Sequence, residues 1–146
     1  VIALIQRVRS ASVHVGQELI GDIGPGLLAM IGVAIGDKVS HADRLLQRVL
    51  EFRVFADGEG RMNRSLHALQ GGLLLVPQFT LVAETRHGSR PGFSRAAAPG
   101  DAAALYAHLV ARARATHGQV ASGRFGAAMQ VSLINDGPVT FWLQSH

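Results

Sequence analysis

No cysteine occurs in the 146 residues, and that single absence excludes disulfides, thiolate nucleophiles, cysteine-ligated zinc and iron–sulfur clusters together. Lysine is almost missing as well. Lys38 is the only one, and it follows Gly36-Asp37, so the phosphate-gripping lysine of a Walker loop has no candidate. Neither G-x-G-x-x-G nor G-x-S-x-G occurs, which removes the usual signs of a dinucleotide site and of a serine-esterase elbow. The seven histidines show no metalloprotease spacing, and the ten carboxylates form no pair of defensible spacing, so neither a metal site nor a sugar-hydrolysing dyad is expected. The longest apolar stretch, Gly24 to Gly36, is too short for a bilayer and is interrupted by Gly and Pro. Val1 to Arg9 lacks the order of a secretory signal, and a cytoplasmic location is the expectation.

What is present is a chain 48% hydrophobic and only 16% charged, a balance that disorder cannot sustain and a buried core can. One domain over residues 1–146 is expected. The net charge of +4 favours a polyanionic partner without requiring one, since the arginines are spread along the chain and an arginine-biased genome explains them equally.

Periodicity predicts a strand over Ile2–Val8, a turn at Arg9-Ser10 and a second strand over Ala11–Val15. The cluster Gly21 to Gly26 reads as a turn. Leu27–Val33 follows as a strand apolar on both faces. Ser40 and Asp43 resemble a capping box for a helix over about 41–51 that buries Ala42, Leu45, Leu46, Val49 and Leu50. Phe52–Phe55 is strand-like, Asp57–Gly60 a turn, and Leu73–Val76 a buried strand continuing through Pro77 into Phe79-Thr80-Leu81. Residues 85–100 form a loop, Asp101 caps a second helix, and Gly118 closes it. Met129–Ile134 and Val139–Leu143 are two strands around a tight turn at Asn135–Pro138. The fold class is therefore α+β: about eight strands in mixed or antiparallel sheets, barrel-like or two-layered, with two main helices packed outside.

Two segments break local rules without a packing reason, and such places are where function is expected. Pro77-Gln78-Phe79-Thr80-Leu81 sets an amide and a hydroxyl beside an interrupted strand, which suits polar recognition of a small substrate. Read blandly, Thr80 is a strand residue and Gln78 a surface one. Asn135-Asp136-Gly137-Pro138 is either a plain hairpin or a place where a Cβ-less backbone approaches a ligand.

Taken together these segments resemble the D-aminoacyl-tRNA deacylase family. The likeness runs through Ile5-Gln6-Arg7-Val8, Gly24-Pro25-Gly26-Leu27-Leu28, Arg61-Met62-Asn63, Gln78-Phe79-Thr80-Leu81, Arg90-Pro91-Gly92-Phe93-Ser94 and the stretch from Gly123 to Thr140. The order and spacing of these weak motifs make it specific. One position departs: Pro77 stands where the family commonly has Ser, so no role of that serine carries over.

The resemblance implies hydrolysis of the ester joining a D-amino acid to tRNA, with the L form rejected, in a homodimer; beside it, the residues lead to the expectation of no cofactor, no metal, and no membrane or DNA partner. The resemblance also implies that Gly137 and Pro138, in the cis form, enter the partner's pocket and occupy the space an L side chain needs. Exclusion by main chain is stiff, and glycine, having no side chain to clash, should leak through as glycyl-tRNA. Phe79 contacts substrate by the same resemblance, and amides near Phe79 and Thr80 are candidate oxyanion donors.

Thr80 and Gln78 are the candidate catalytic pair, although the resemblance favours the tRNA 2′-hydroxyl as the assisting group, with Thr80 positioning. Arg7 braces the Gly-Pro turn or is a solvated strand arginine; Met129 and Phe125 line the pocket or belong to the core. Arg86, Arg90 and Arg95 meet acceptor-stem phosphates or form a solvated loop. Two rival functions remain open on the residues: a non-catalytic dimeric tRNA-binding module, and a small-molecule esterase with Thr80 as nucleophile.

Overall fold

In the computed structural model, which describes residues 1–145, six of eight strands form a curled sheet, the other two form a separate hairpin, and three helices complete the fold with the long ones laid on the sheet's outer side. The chain opens with β1 (Ile2–Val15), β2 (Glu18–Ile23) and β3 (Gly26–Gly32). Next come α1 (Val39–Glu51), the hairpin strands β4 (Arg53–Ala56) and β5 (Met62–Ser65), and the single turn α2 (Leu66–Leu69). It ends with β6 (Gly72–Pro77), α3 (Pro99–Thr116), β7 (Val120–Ser122) and β8 (Gln130–Gln144).

β1 organises the sheet. Along one edge it pairs first with β3, through Ile2–Val8, and then with β2, through Ala11–Val15. Along the other edge it pairs with β8 for nearly its whole length. β3 continues parallel to β6, and β6 parallel to β7. Gly21 of β2 lies against Ala121 and the Ser122 carbonyl of β7, so the sheet curls into a nearly closed barrel.

The continuous apolar runs follow from this geometry. Side chains alternate across a strand, so a strand buried on both faces must be apolar at every position. Leu27, Ala29, Ile31, Leu73 and Leu75 face α1 and α3, while Leu28, Leu74 and Val76 join Val8, Ala11 and Val13 inside the barrel. Each leucine so enclosed contributes roughly 1.5–3 kcal/mol. The stripe Ala42, Leu45, Leu46, Val49 and Leu50 on α1 is buried as the periodicity predicts.

Several local expectations are corrected. Arg9-Ser10 is no turn: β1 runs straight through, with register shifts against β8 between Gln6 and Ser10 that leave Arg9 and Ser10 exposed. The first hairpin instead turns at Gly16-Gln17, and β2 occupies the start of the expected Gly21–Gly26 turn. Ser40 does not cap α1. The cap is Lys38, whose backbone N–H donates to His41 Nδ1 at 2.9 Å, and Asp43 lies 2.7 Å from His108 on α3. α3 starts at Pro99 with Asp101 in its first turn, a placement favoured by the helix dipole, and its C-cap is His117 with Gly118 beyond.

The tail holds the largest correction. Both halves of β8 run antiparallel to the same strand in the same direction, from Val13↔Val131 to Ile2↔Gln144, so Asn135–Pro138 is no hairpin. Between the pairs Val8↔Asn135 and Gln6↔Thr140, the single residue Arg7 faces four residues of β8. The extra chain is expelled from the ladder as a corner.

Candidate active site

β6 ends at Pro77, which has no N–H with which to continue a ladder. The next residue, Gln78, donates its backbone N–H to the Ile31 carbonyl at 2.7 Å, and Phe79–Val82 wind into a 3₁₀ turn. The expected extension of the strand through Phe79-Thr80-Leu81 is therefore wrong. Gly32 makes the turn possible: a Cβ there would stand 3.0 Å from Leu81 and 3.3 Å from the Gln78 carbonyl. The amides of Phe79 and Thr80 head the turn, so neither has an acceptor within it.

Beside this turn lies a cleft of about 500 Å³ with predominantly apolar walls. Gln78 and Phe79 form one side, and Phe125 and Met129, from the segment between β7 and β8, form another. Four of the residues singled out from sequence thus converge on one space. Phe125 and Phe79 are not core: they are 37% and 58% exposed. Thr80 sits outside the lining, and its hydroxyl is hydrogen-bonded to the Gln78 side-chain amide. An amide N–H occupies a lone pair of that hydroxyl without being able to remove its proton. Among the described residues no base contacts Thr80.

The third wall was silent in the sequence. Ala96 and Ala97 lead into α3, Pro99 and Ala102 lie at its start, all four line the cleft, and small apolar residues carry no chemical signature. The loop before them folds back over the site. Phe93 packs against Phe79 with ring centroids 5.0 Å apart, and Arg86, Arg90 and Arg95 are exposed around it.

Arg7, Gly137 and Pro138 form a second cluster, and none of them lines the cleft. The Gly137-Pro138 bond is cis, and both residues are exposed. Arg7 Nε donates to the Asp136 carbonyl at 2.9 Å, and its Nη1 donates to the Val54 carbonyl at 2.6 Å, so one guanidinium ties the corner to β4. Asn135 closes the base, accepting from Val139 N at 2.7 Å and donating to Thr140 Oγ1 at 2.8 Å. Gly137 has φ +131°, a region L side chains rarely adopt; a Cβ there would lie 2.7 Å from Arg7 Nη2 and 2.9 Å from Val139 Cγ2. No three His, Asp or Glu side chains gather as a metal-binding group among the described residues, and none of the described helices is long and apolar enough to cross a membrane.

The sequence model of the family described as D-Tyr-tRNA(Tyr) deacylase matches residues 4–144. Among curated proteins, a D-aminoacyl-tRNA deacylase of Thioalkalivibrio sulfidiphilus is 59% identical, covering 98% of this chain and 96% of its own. One of Ralstonia nicotianae is 56% identical, covering 98% and 89%. Among solved structures, a c-Myc DNA Unwinding Element Binding Protein superposes with a TM-score of 0.95 at 36% identity, over 100% of this chain and 99% of that one. A probable eukaryotic D-amino acid tRNA deacylase superposes with a TM-score of 0.82 at 17% identity over 97% of each, a likeness of fold alone.

Proposed function

The chain belongs to the D-Tyr-tRNA(Tyr) deacylase family, and from that premise we propose that it hydrolyses the ester of D-aminoacyl-tRNA as a homodimer whose site is shared between two copies. The observation that carries the reading is the division of the recognised residues into two clusters on one chain. The cleft of Gln78, Phe79, Phe125 and Met129 lacks a chiral selector, and the Arg7-braced corner of Gly137 and Pro138 has nothing in its own chain to select. A two-fold axis brings one copy's corner to the other's cleft.

β8 supports that assembly. It pairs with β1 alone among the described strands, leaving a long edge free, and Ile134, Phe141 and Trp142 on it are 56%, 37% and 52% exposed. A free edge strand with exposed apolar side chains invites pairing, and an isologous partner covers both copies at once.

In the composite site the apolar cleft holds the 3′ end of the acylated tRNA, and the partner's Gly137-Pro138 main chain faces the substrate α-carbon. An L side chain meets that backbone; a D side chain points away; glycine passes. The amides of Phe79 and Thr80 donate to the oxyanion as the carbonyl becomes tetrahedral. Thr80, bonded to an amide and not to a base, positions substrate, and the 2′-hydroxyl of the terminal ribose assists the attacking water. Arg86, Arg90 and Arg95, beside the Phe79–Phe93 pair, meet phosphates of the acceptor stem. The reaction belongs in the cytoplasm, where tRNA is charged.

The test is the hydrolysis of D-tyrosyl-tRNA and L-tyrosyl-tRNA by the purified chain. Rapid release from the D form with the L form spared is expected; equal cleavage of both, or binding of tRNA without turnover, contradicts the reading. In the same assay Thr80→Ala loses about tenfold in kcat, the order of one misplaced contact. Complete loss would make Thr80 the nucleophile. A terminal ribose lacking its 2′-hydroxyl is expected to stall the wild type.

A further inference from the structure

Tyr106 is one of the few polar side chains in the core. It lies on α3 at 5% exposure, and burial pushes its phenol up to about 12, so it is a neutral donor at any working pH. Its hydroxyl is 2.8 Å from the Leu75 carbonyl on β6 and 2.7 Å from Ser122 Oγ on β7. Ser122 Oγ is in turn 2.7 Å from the Gly123 carbonyl, and the Gly123 amide donates to the Leu75 carbonyl at 2.8 Å. These groups close a part-buried ring at the point where β6 and β7 part company, its two hydroxyl protons shared among three oxygen–oxygen contacts. The Tyr106 and Ser122 hydroxyls together link α3 to the backbone of both strands, and losing either removes that side-chain link from the fork.

What departs from that ring is the cleft. Pro77-Gln78-Phe79 begins two residues beyond Leu75 on one side. On the other, the segment after Ser122 carries Phe125, whose ring centroid is 6.3 Å from that of Tyr106, and Met129, whose sulfur accepts from the Arg124 amide at 3.4 Å. Tyr106 reaches neither substrate nor solvent.

We propose that Tyr106, through Ser122, is a positioning residue for deacylation: it sets the spacing between the Gln78-Phe79 wall and the Phe125–Met129 wall of the cleft. The proposal rests on the function assigned above for its catalytic consequence and on the hydrogen-bond ring alone for its structural one.

The test compares Tyr106→Phe, Ser122→Ala and Ser122→Thr in the full chain, assayed well below each variant's Tm. Tyr106→Phe and Ser122→Ala are each expected to lower kcat on D-tyrosyl-tRNA about tenfold with KM within about twofold, while Ser122→Thr, which keeps the hydroxyl, stays near wild type. The double variant Tyr106→Phe/Ser122→Ala should lose no more than either single one, because both break the same ring. Amide hydrogen exchange is expected to quicken in residues 78–80 and 123–129 only. Unchanged kcat with a lowered Tm, or faster exchange spread over the whole fold, would reduce Tyr106 to a packing residue and overturn the proposal. If the wild type cleaves no D-aminoacyl-tRNA, the functional reading fails by itself, and the exchange pattern alone decides whether Tyr106 spaces the walls.

Discussion

Replacing Gly137 by Ala is expected to abolish D-specific cleavage, lowering kcat/KM on D-tyrosyl-tRNA by more than about a hundredfold, while the variant remains a folded dimer. The loss has two local causes. At φ +131° an added methyl enters a conformation that costs of order 1–3 kcal/mol for a residue with a Cβ. That methyl would also stand 2.7 Å from Arg7 Nη2, so either the guanidinium or the corner gives way. Arg7 is not free to retreat, because its Nη1 is bonded to the Val54 carbonyl at 2.6 Å. The corner therefore shifts, and in the proposed shared site it would then press on the space the D substrate occupies. Circular dichroism and sedimentation should match the wild type; normal kinetics would show that the corner takes no part in the site.

The second large effect concerns the free face of β8. Trp142 pairs across from Leu4 and leaves half of its surface open. Buried aromatic anchors commonly supply 2–4 kcal/mol of an interface, so Trp142→Glu, which sets a charge where a partner's apolar surface must sit, is expected to weaken dimerisation by more than about a hundredfold. If the site is shared, hydrolysis falls in proportion to the dimer lost and recovers as protein concentration rises. Light scattering and activity measured over one dilution series give both quantities. A monomer of full specific activity would contradict the shared site.

The parts of the fold legible in sequence were those decided by local chemistry. Leu27–Val33 and Leu73–Val76 announced themselves because burial on both faces leaves no polar position, and the α1 stripe did so through its helical spacing. Where long-range pairing decides, local signals misled. Asn135-Asp136-Gly137-Pro138 carries the residues of a hairpin turn, yet β1 holds both flanks in one direction and the same residues become an outward corner. Arg9-Ser10 is polar in the way of a turn and is instead the exposed outer course of one long strand. Phe79-Thr80-Leu81 is strand-like in composition, but Pro77 ends the ladder and the Gln78 amide turns back to Ile31.

The candidate site divides along the same line. Gln78, Phe79, Phe125 and Met129 do meet in one cleft and Arg7 does reach the Gly137 corner, while Thr80 stands outside the cleft lining. The wall of Ala96, Ala97, Pro99 and Ala102 was missed because alanine advertises nothing, and the Tyr106–Ser122 ring because its members come from separate elements that only the fold brings together.

Mixing two inactive variants tests the shared site most directly. In the proposed shared site Gly137→Ala shifts the corner onto the space the substrate occupies, and Ala127→Trp fills the cleft, which Ala127 lines between Phe125 and Met129. Each is inert alone, but a mixed dimer carries both lesions in one of its sites and leaves the other intact. With random exchange of equal amounts, half the dimers are mixed, and about a quarter of wild-type activity on D-tyrosyl-tRNA should return. A mixture that stays as inert as its components, with exchange shown by a tagged subunit, would place corner and cleft in the same chain and contradict the account.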